Sequence, residues 1–273
     1  MQQRIISIGK VLAAFLVVNY HTKMLGIDGL KEFARFGFVA NMIFAAMSGV
    51  LIAKSIGRRG FFHRRLIRIL PPLHVALFLA AIAYSILGVH LTASSAMLHA
   101  TGFQYFFGDE SFGGHLWFVS VILGCYLLAP ICRSVVTIFA TIFILAALAV
   151  QTSDLFSAIN TAPPVRFLFH FLLFSVGARF APYIRDENEP GPALAFLDSI
   201  SYEVFLVHLP IALLANHFWH GSIFAYGFVF SASILVAWVV KILAAKYADF
   251  IVGMWAILTQ KDPALSLTIQ NSK

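Results

Sequence analysis

The sequence predicts an all-α membrane protein: a polytopic helical bundle of about eight transmembrane helices with an interfacial C-terminal segment. Three observations predict it. Apolar residues make up 60% of the 273-residue chain, with 28 phenylalanines, and charged residues only 11%, a composition suited to lipid rather than water. The apolar residues gather in runs close to the ~20 residues that cross a hydrocarbon core as a helix. The basic residues cluster in alternate connections between those runs, as the positive-inside rule requires.

The runs lie near residues 4–22, 36–53, 69–88, 115–132, 135–151, 165–183, 197–217 and 223–243. A further apolar piece near 247–259 is short enough to lie in the interface. The first run has a basic start and an apolar stretch from Val11 to Val18, but Asn19-Tyr20-His21 is no small-residue cleavage site, so the run is expected to be retained as a span. With the amino terminus inside, the 19 basic residues all fall on or just within the inner side except Lys23, Lys31, Arg35 and Arg166. Both termini are then cytoplasmic. The outer connection from about 89 to 114 has no lysine or arginine, so the net charge of +7 reflects topology and calls for no nucleic-acid partner. Cys125 and Cys132, seven residues apart on one run, would have Cα atoms roughly 10 Å apart, too far for a disulfide. No Cys/His spacing of the metal-binding kind occurs, and the chain reads as one domain over 1–273. Its only linker-like segment is the turn Asp186 to Pro192.

Several residues are chemically out of place in such a chain. Phe61 to Pro72 sets Arg64, Arg65 and Arg68 against an apolar run, and a guanidinium at a bilayer centre costs on the order of 3 kcal/mol. These arginines belong at a membrane surface or in a wet cavity. Arg65 and Arg68, at i and i+3, share a helical face from which two forks reach one phosphate, whereas Arg64 points elsewhere; a basic anchor for lipid headgroups is the other reading. Lys10 and His21, about three turns apart, share a face of the first run. His21, near its outer end, suits a base acting on a hydroxyl, or a solvated interfacial ring with Lys10 snorkelling inward. Ser48-Gly49 offers a small surface for close helix approach. In the stretch 101–118, the rings of Tyr105 and Trp117 stand beside Gln104, Asp109, Glu110 and His115, the flat faces and hydrogen-bonding groups of a sugar site or an outer aromatic belt. In the seventh run, Asp198 and Ser201 fit a helix start as cap and first-turn residue. Ser201, Phe205 and His208 recur along one stripe of that run, where His208 either meets a ligand or bridges helices.

The order of these motifs resembles the acyltransferase-3 family of integral membrane O-acyltransferases. The residues that carry the resemblance are Ile8-Gly9-Lys10 followed by His21, Ser48-Gly49, Arg65-Leu66-Ile67-Arg68-Ile69-Leu70-Pro71, His115-Leu116-Trp117-Phe118 leading to Tyr126 and Pro130, and Ile200-Ser201-Tyr202 through His208. The resemblance implies a multi-pass enzyme of a bacterial inner membrane. It would move an acyl group, usually acetyl, from cytoplasmic acyl-CoA to a hydroxyl of a cell-envelope or exported saccharide, free or lipid-linked. It implies His21 and Lys10 as the catalytic pair, with His21 as general base. Arg65, Arg68, Arg64 and Ser48 would hold the co-substrate acetyl-CoA. The acceptor would meet His115, Trp117, Tyr105, Asp109, Ser201, Tyr202 and His208, with membrane lipids as the other partner and no metal. A passage for the thioester arm is expected to join the arginines to His21. The family usually has arginine where Lys10 stands, often an acidic residue where Ser7 stands, and in many members glutamate where Ile122 stands. Two further readings stay open: a non-catalytic family member assisting envelope-polymer assembly, and a proton-coupled transporter using the intramembrane histidine and lysine.

Overall fold

The structure, a computed structural model, describes residues 4–27, 36–109, 111–112, 114–151, 162–184, 188–220 and 222–260. Lys31, Arg35, Glu110, Asp186 and Glu187 lie outside the described residues. Among the described residues every regular element is helical: α1 Arg4–Thr22, α2 Gly37–Ile52, α3 Phe61–Ile86, α4 Ala93–Thr101, α5 Trp117–Leu127, α6 Ala129–Cys132, α7 Val135–Gln151, α8 Pro163–Phe180, α9 Pro192–Ser199, α10 Ser201–Trp219 and α11 Ile223–Gln260. Short 3-10 turns sit at Lys23–Leu25, Gln104–Phe107, Gly114–Leu116 and Ala181–Tyr183.

Arg4–Leu25, Phe61–Ile86, Pro163–Tyr183 and Ile223–Met254 are long and apolar enough to cross a membrane, and the bent pair α9 and α10 makes a fifth crossing if taken as one span. Gly37–Ile52, Gly114–Leu127 and Val135–Ala146 are apolar but shorter. Among the described residues four or five spans are thus long enough to cross, where hydropathy leads one to expect about eight. The expected separate interfacial piece near 247–259 is not separate. α11 runs unbroken to Gln260, because Leu243-Ala244-Ala245-Lys246 are strong helix formers that carry the backbone through a dip in hydropathy.

Two helices differ in shape from what their sequences suggest. α3 starts well before its apolar run, after Gly60 in the left-handed conformation at φ 70°, so the arginines ride on its first turns. It continues through Pro71 and Pro72, which have no N–H to offer the carbonyls of Ile67 and Arg68. The seventh run breaks at Ile200, bending 62° between α9 and α10. There the Ser199 hydroxyl donates to the Phe196 carbonyl (2.6 Å) and the Ser201 hydroxyl to the Asp198 carbonyl (2.9 Å), side-chain bonds that compete with the helical ladder. Ile200 stands at the N-cap of α10 without a side-chain bond. Asp198, expected as a cap, turns its carboxylate to Lys10 and Ser7 instead.

α2 occupies the middle of the bundle, packed on α8 and α1; α1 packs on α10, and α10 on α11 and α3, while α7 lies outermost against α8. The closest approach is at Gly49 and Gly177. A Cβ on Gly49 would collide with the Phe174 carbonyl, and one on Gly177 with that of Ala46. Glycine is used here for backbone contact. Phe44, Phe118, Leu123, Phe174 and Phe205 are buried between the helices, whereas Val136, Phe143 and Phe224 stand outward with 75% or more of their surface exposed. That inside-out apolarity is what a lipid-facing surface requires.

Candidate functional site

Two cavities lie end to end between α1, α2, α5 and α10. The first, about 150 Å³, is lined by Lys10, Ser48, Arg65, Arg68, Asp198, Ser201, Tyr202 and Glu203 among apolar side chains that include Ile122. Its centre is an ion pair. Lys10 Nζ is 2.5 Å from Asp198 Oδ1, and the two side chains are 13% and 0% exposed. Lys10 also donates to the Asp198 carbonyl (3.4 Å), and the Ser7 hydroxyl donates to Oδ2 (3.1 Å). In the family pattern an acidic residue stands where this chain has Ser7; here the acid comes from the α9–α10 bend instead. A cation this deeply buried needs such a partner, because an uncompensated charge in a low-dielectric interior costs several kcal/mol.

Arg65 is fixed by donation from Nη2 to the Ser55 hydroxyl (2.9 Å), with its guanidinium 5.5 Å from the Phe61 ring centre and 5.9 Å from that of Tyr126. Arg68 faces the same cavity. Arg64 does not: it is exposed and donates to the Arg59 carbonyl (2.7 Å). The i, i+3 spacing thus brings Arg65 and Arg68 together with Lys10 and leaves Arg64 outside. Tyr202, whose hydroxyl donates to the Ile69 carbonyl (3.2 Å), and Ser201 belong to this charged end. Neither lies near His21 and His115, where the acceptor was expected.

The second cavity, about 220 Å³, is lined by His21, Asn41, His115, Trp117, Arg166 and Phe205, with Tyr20 and Phe38. The Arg166 guanidinium lies 4.7 Å over the Trp117 ring and 5.6 Å from the Tyr105 ring, a cation–π arrangement that presents charge beside a flat apolar face. Lys10, expected as the partner of His21, opens on the other cavity. Beside His21 instead are two histidines, with ring centres 4.9 Å (His208) and 6.2 Å (His115) away. His115 Nε2 donates to the Leu206 carbonyl (3.1 Å). That carbonyl is available because the residue four positions on is Pro210, which has no N–H to complete the helical bond. His208 Nδ1 donates to the Phe205 carbonyl (2.7 Å).

Tyr105 and Asp109 do not line this cavity. Tyr105 is buried against Trp117, with ring centres 5.8 Å apart, and its backbone N–H donates to the Ser120 hydroxyl (3.3 Å). Asp109 closes a turn of the outer connection, accepting from the Ser111 N–H (3.0 Å) and from the Ser111 hydroxyl. Among the described residues the two cavities are separate, where a continuous passage was expected. The cavities share one wall, Phe205, whose ring packs 5.9 Å from Phe44 and 5.6 Å from Phe118. Phe205 thus stands between the cavity of His21 and that of the arginines. Sequence reasoning passed over Asp198 as an ion partner, Glu203, Asn41, Arg166 and Phe205 as site residues. Two acids five residues apart in an apolar run, and an arginine at the outer end of a span, were the available signals.

Among the described residues no group of His, Cys, Asp and Glu could hold a metal ion. The Acyl_transf_3 family model, described as an acyltransferase domain, matches residues 4–153, more than half the chain and including His21, the arginines of α3, His115 and Trp117. No curated protein and no solved structure matches the chain. With its long apolar helices and this match, the chain belongs to the acyltransferase-3 family, and it is a multi-pass membrane acyltransferase.

Proposed function

We propose that the protein is a membrane O-acetyltransferase taking acetyl from acetyl-CoA at the Lys10/Arg65/Arg68 end and passing it to a saccharide hydroxyl at the His21 end. One observation carries this reading: a cation-lined cavity and a histidine-lined cavity share the Phe205 side chain in their linings. Arg65 and Arg68 suit the phosphates of the donor, whose charge calls for paired guanidinium forks. His21, half-buried and close to Arg166 and Trp117, suits a base acting on an acceptor hydroxyl. The oxygen bonds to the acyl carbon, the C–S bond breaks, the hydroxyl proton goes to His21, and the departing thiolate is reprotonated. For the thioester to meet the hydroxyl, Phe205 must swing aside. The shorter helices α2, α5 with its preceding turn, and α7 complete eight crossings in this reading. The charged cavity then faces the cytoplasm of a bacterial inner membrane and the histidine cavity faces outward, where a free or lipid-linked saccharide would arrive.

The purified protein in detergent, given acetyl-labelled acetyl-CoA, tests this. Wild type should turn the thioester over, with water as acceptor where no sugar is supplied. His21→Ala should lose at least 100-fold in turnover, and Arg65→Gln/Arg68→Gln should raise the apparent KM for acetyl-CoA. Undiminished turnover by His21→Ala overturns the assignment of the base. The closed Phe205 wall favours a second reading, the non-catalytic family member, for which wild type would bind acetyl-CoA without consuming it. Neither binding nor turnover would leave the proton-coupled transporter.

A further inference from the structure

A neutral imidazole carries one N–H and one bare nitrogen, and the two exchange places at little cost unless the surroundings choose between them. A base needs the bare nitrogen toward its substrate, so the opposite N–H must find an acceptor, because in a closed, apolar site an unmet N–H keeps its full desolvation penalty. In many histidine sites a carboxylate fills that role. Among the described residues none lines the cavity of His21.

What stands there is His208. It is fully buried, and the Phe205 carbonyl, which can only accept, fixes its proton on Nδ1. Nε2 of His208 is therefore a bare acceptor, and it is buried without a hydrogen-bond partner. The ring centres of His21 and His208 are 4.9 Å apart; the rings as they stand make no hydrogen bond, but that spacing admits one N–H···N bond between two five-membered rings once the His21 ring turns toward Nε2. His115 offers a similar bare nitrogen, Nδ1, but its ring is 6.2 Å from that of His21.

We propose that His208 is a positioning residue: its Nε2 accepts the N–H of His21 and so holds His21 in the tautomer whose other nitrogen faces the acceptor. This deepens the acyltransferase reading and rests on it for its catalytic consequence, though not for its geometry. During transfer the hydroxyl proton moves to the outward nitrogen of His21 as the C–O bond forms and the C–S bond breaks. The imidazolium keeps its other N–H on His208 and then gives the new proton to the thiolate or to water.

Imidazole 15N spectra of the full chain in detergent, with labelled histidine, read the tautomer directly. Wild type should show His21 in one tautomer, coupled through the hydrogen bond to a nitrogen of His208. His208→Leu removes the acceptor and should give two tautomers, with turnover of labelled acetyl-CoA lowered about tenfold at unchanged KM, short of the 10²- to 10⁴-fold that a base supplies. His208→Gln, which restores an acceptor oxygen, should recover the single tautomer and most of the turnover. A His21 tautomer ratio indifferent to His208→Leu overturns the proposal. Absence of the coupling in wild type does so without any variant. If the tautomer is locked by His208 while His21→Ala keeps full turnover, the positioning stands and the assignment of His21 as base falls.

Discussion

The two cavities lie between the same helices and share one side chain, Phe205, yet they are made polar by opposite means. The inner one uses fixed charges brought from far apart in the chain: Lys10 on α1 meets Asp198 at the α9–α10 bend, with Arg65, Arg68 and Glu203 around them. The outer one, apart from Arg166, uses neutral rings whose protons are set by backbone carbonyls, one of them laid bare by Pro210. The difference bears on stability. A buried ion pair fails badly when one partner is lost, whereas a ring held by a carbonyl can be replaced by another neutral group at small cost.

The largest expected effect is therefore at the inner end. Asp198→Asn leaves the Lys10 ammonium buried opposite a neutral amide and should cost roughly 3–5 kcal/mol, read as a fall in the thermal unfolding midpoint in detergent. Lys10→Met/Asp198→Leu, which removes both charges, should recover most of that loss while leaving donor binding impaired. If Asp198→Asn unfolds at the wild-type temperature, the pair is not what holds the bend against α1, and the contrast between the two ends fails.

A smaller effect is expected at the shared wall. Phe205→Leu keeps the site apolar and should cost about 1.5 kcal/mol or less, but it thins the layer between the cavities. Hydrolysis of acetyl-CoA without acceptor should rise several-fold, because water from the histidine end gains access to the thioester. Hydrolysis at the wild-type rate would mean that some other barrier separates the two ends.

Much of this architecture was legible in the sequence, for physical reasons that can be named. Lipid imposes long apolar runs, so α1, α3, α8 and α11 stood out. The i, i+3 spacing put Arg65 and Arg68 on one face. The family motifs named His21, and the matching model covers it. What stayed hidden depended on contacts between distant residues or on local competition. Nothing along the chain ties Lys10 to a carboxylate 188 positions away. Ser201 and Tyr202 read as neighbours of His208 because all three lie on one apolar run, and they do share α10, yet nearly two helical turns, about 10 Å, set them at the other cavity. Asp109 looked like a sugar ligand because hydrogen-bonding residues in aromatic loops often are; the residue two positions on, Ser111, engages its carboxylate in a turn instead.

That turn supplies the smallest effect, in a region belonging to neither cavity. His99 on α4 is buried, with Nδ1 donating to the Ser95 carbonyl (3.0 Å) and lying 4.0 Å from Asp109 Oδ1, and with its ring 5.0 Å from that of Phe112. Burial lowers its pKa below the ordinary value, although the Ser95 carbonyl and Asp109 pull the other way. The folded chain thus takes up this proton less readily than the unfolded one. The stability contributed is present above the unfolded pKa, about 6.5, and is lost as pH falls below it. Asp109 does not confuse the measurement: hydrogen bonds from Ser111 hold its carboxyl below its usual range, further from the pH interval scanned. Amide exchange over residues 93–109, corrected for its intrinsic pH dependence, should therefore quicken between pH 7 and pH 5, and His99→Gln should abolish the difference. Equal protection at both pH values would show that the buried ring opens to water without loosening the turn around it. The outer connection would then resemble the histidine cavity in tolerating change, and only the ion-paired end of the molecule would depend on charge.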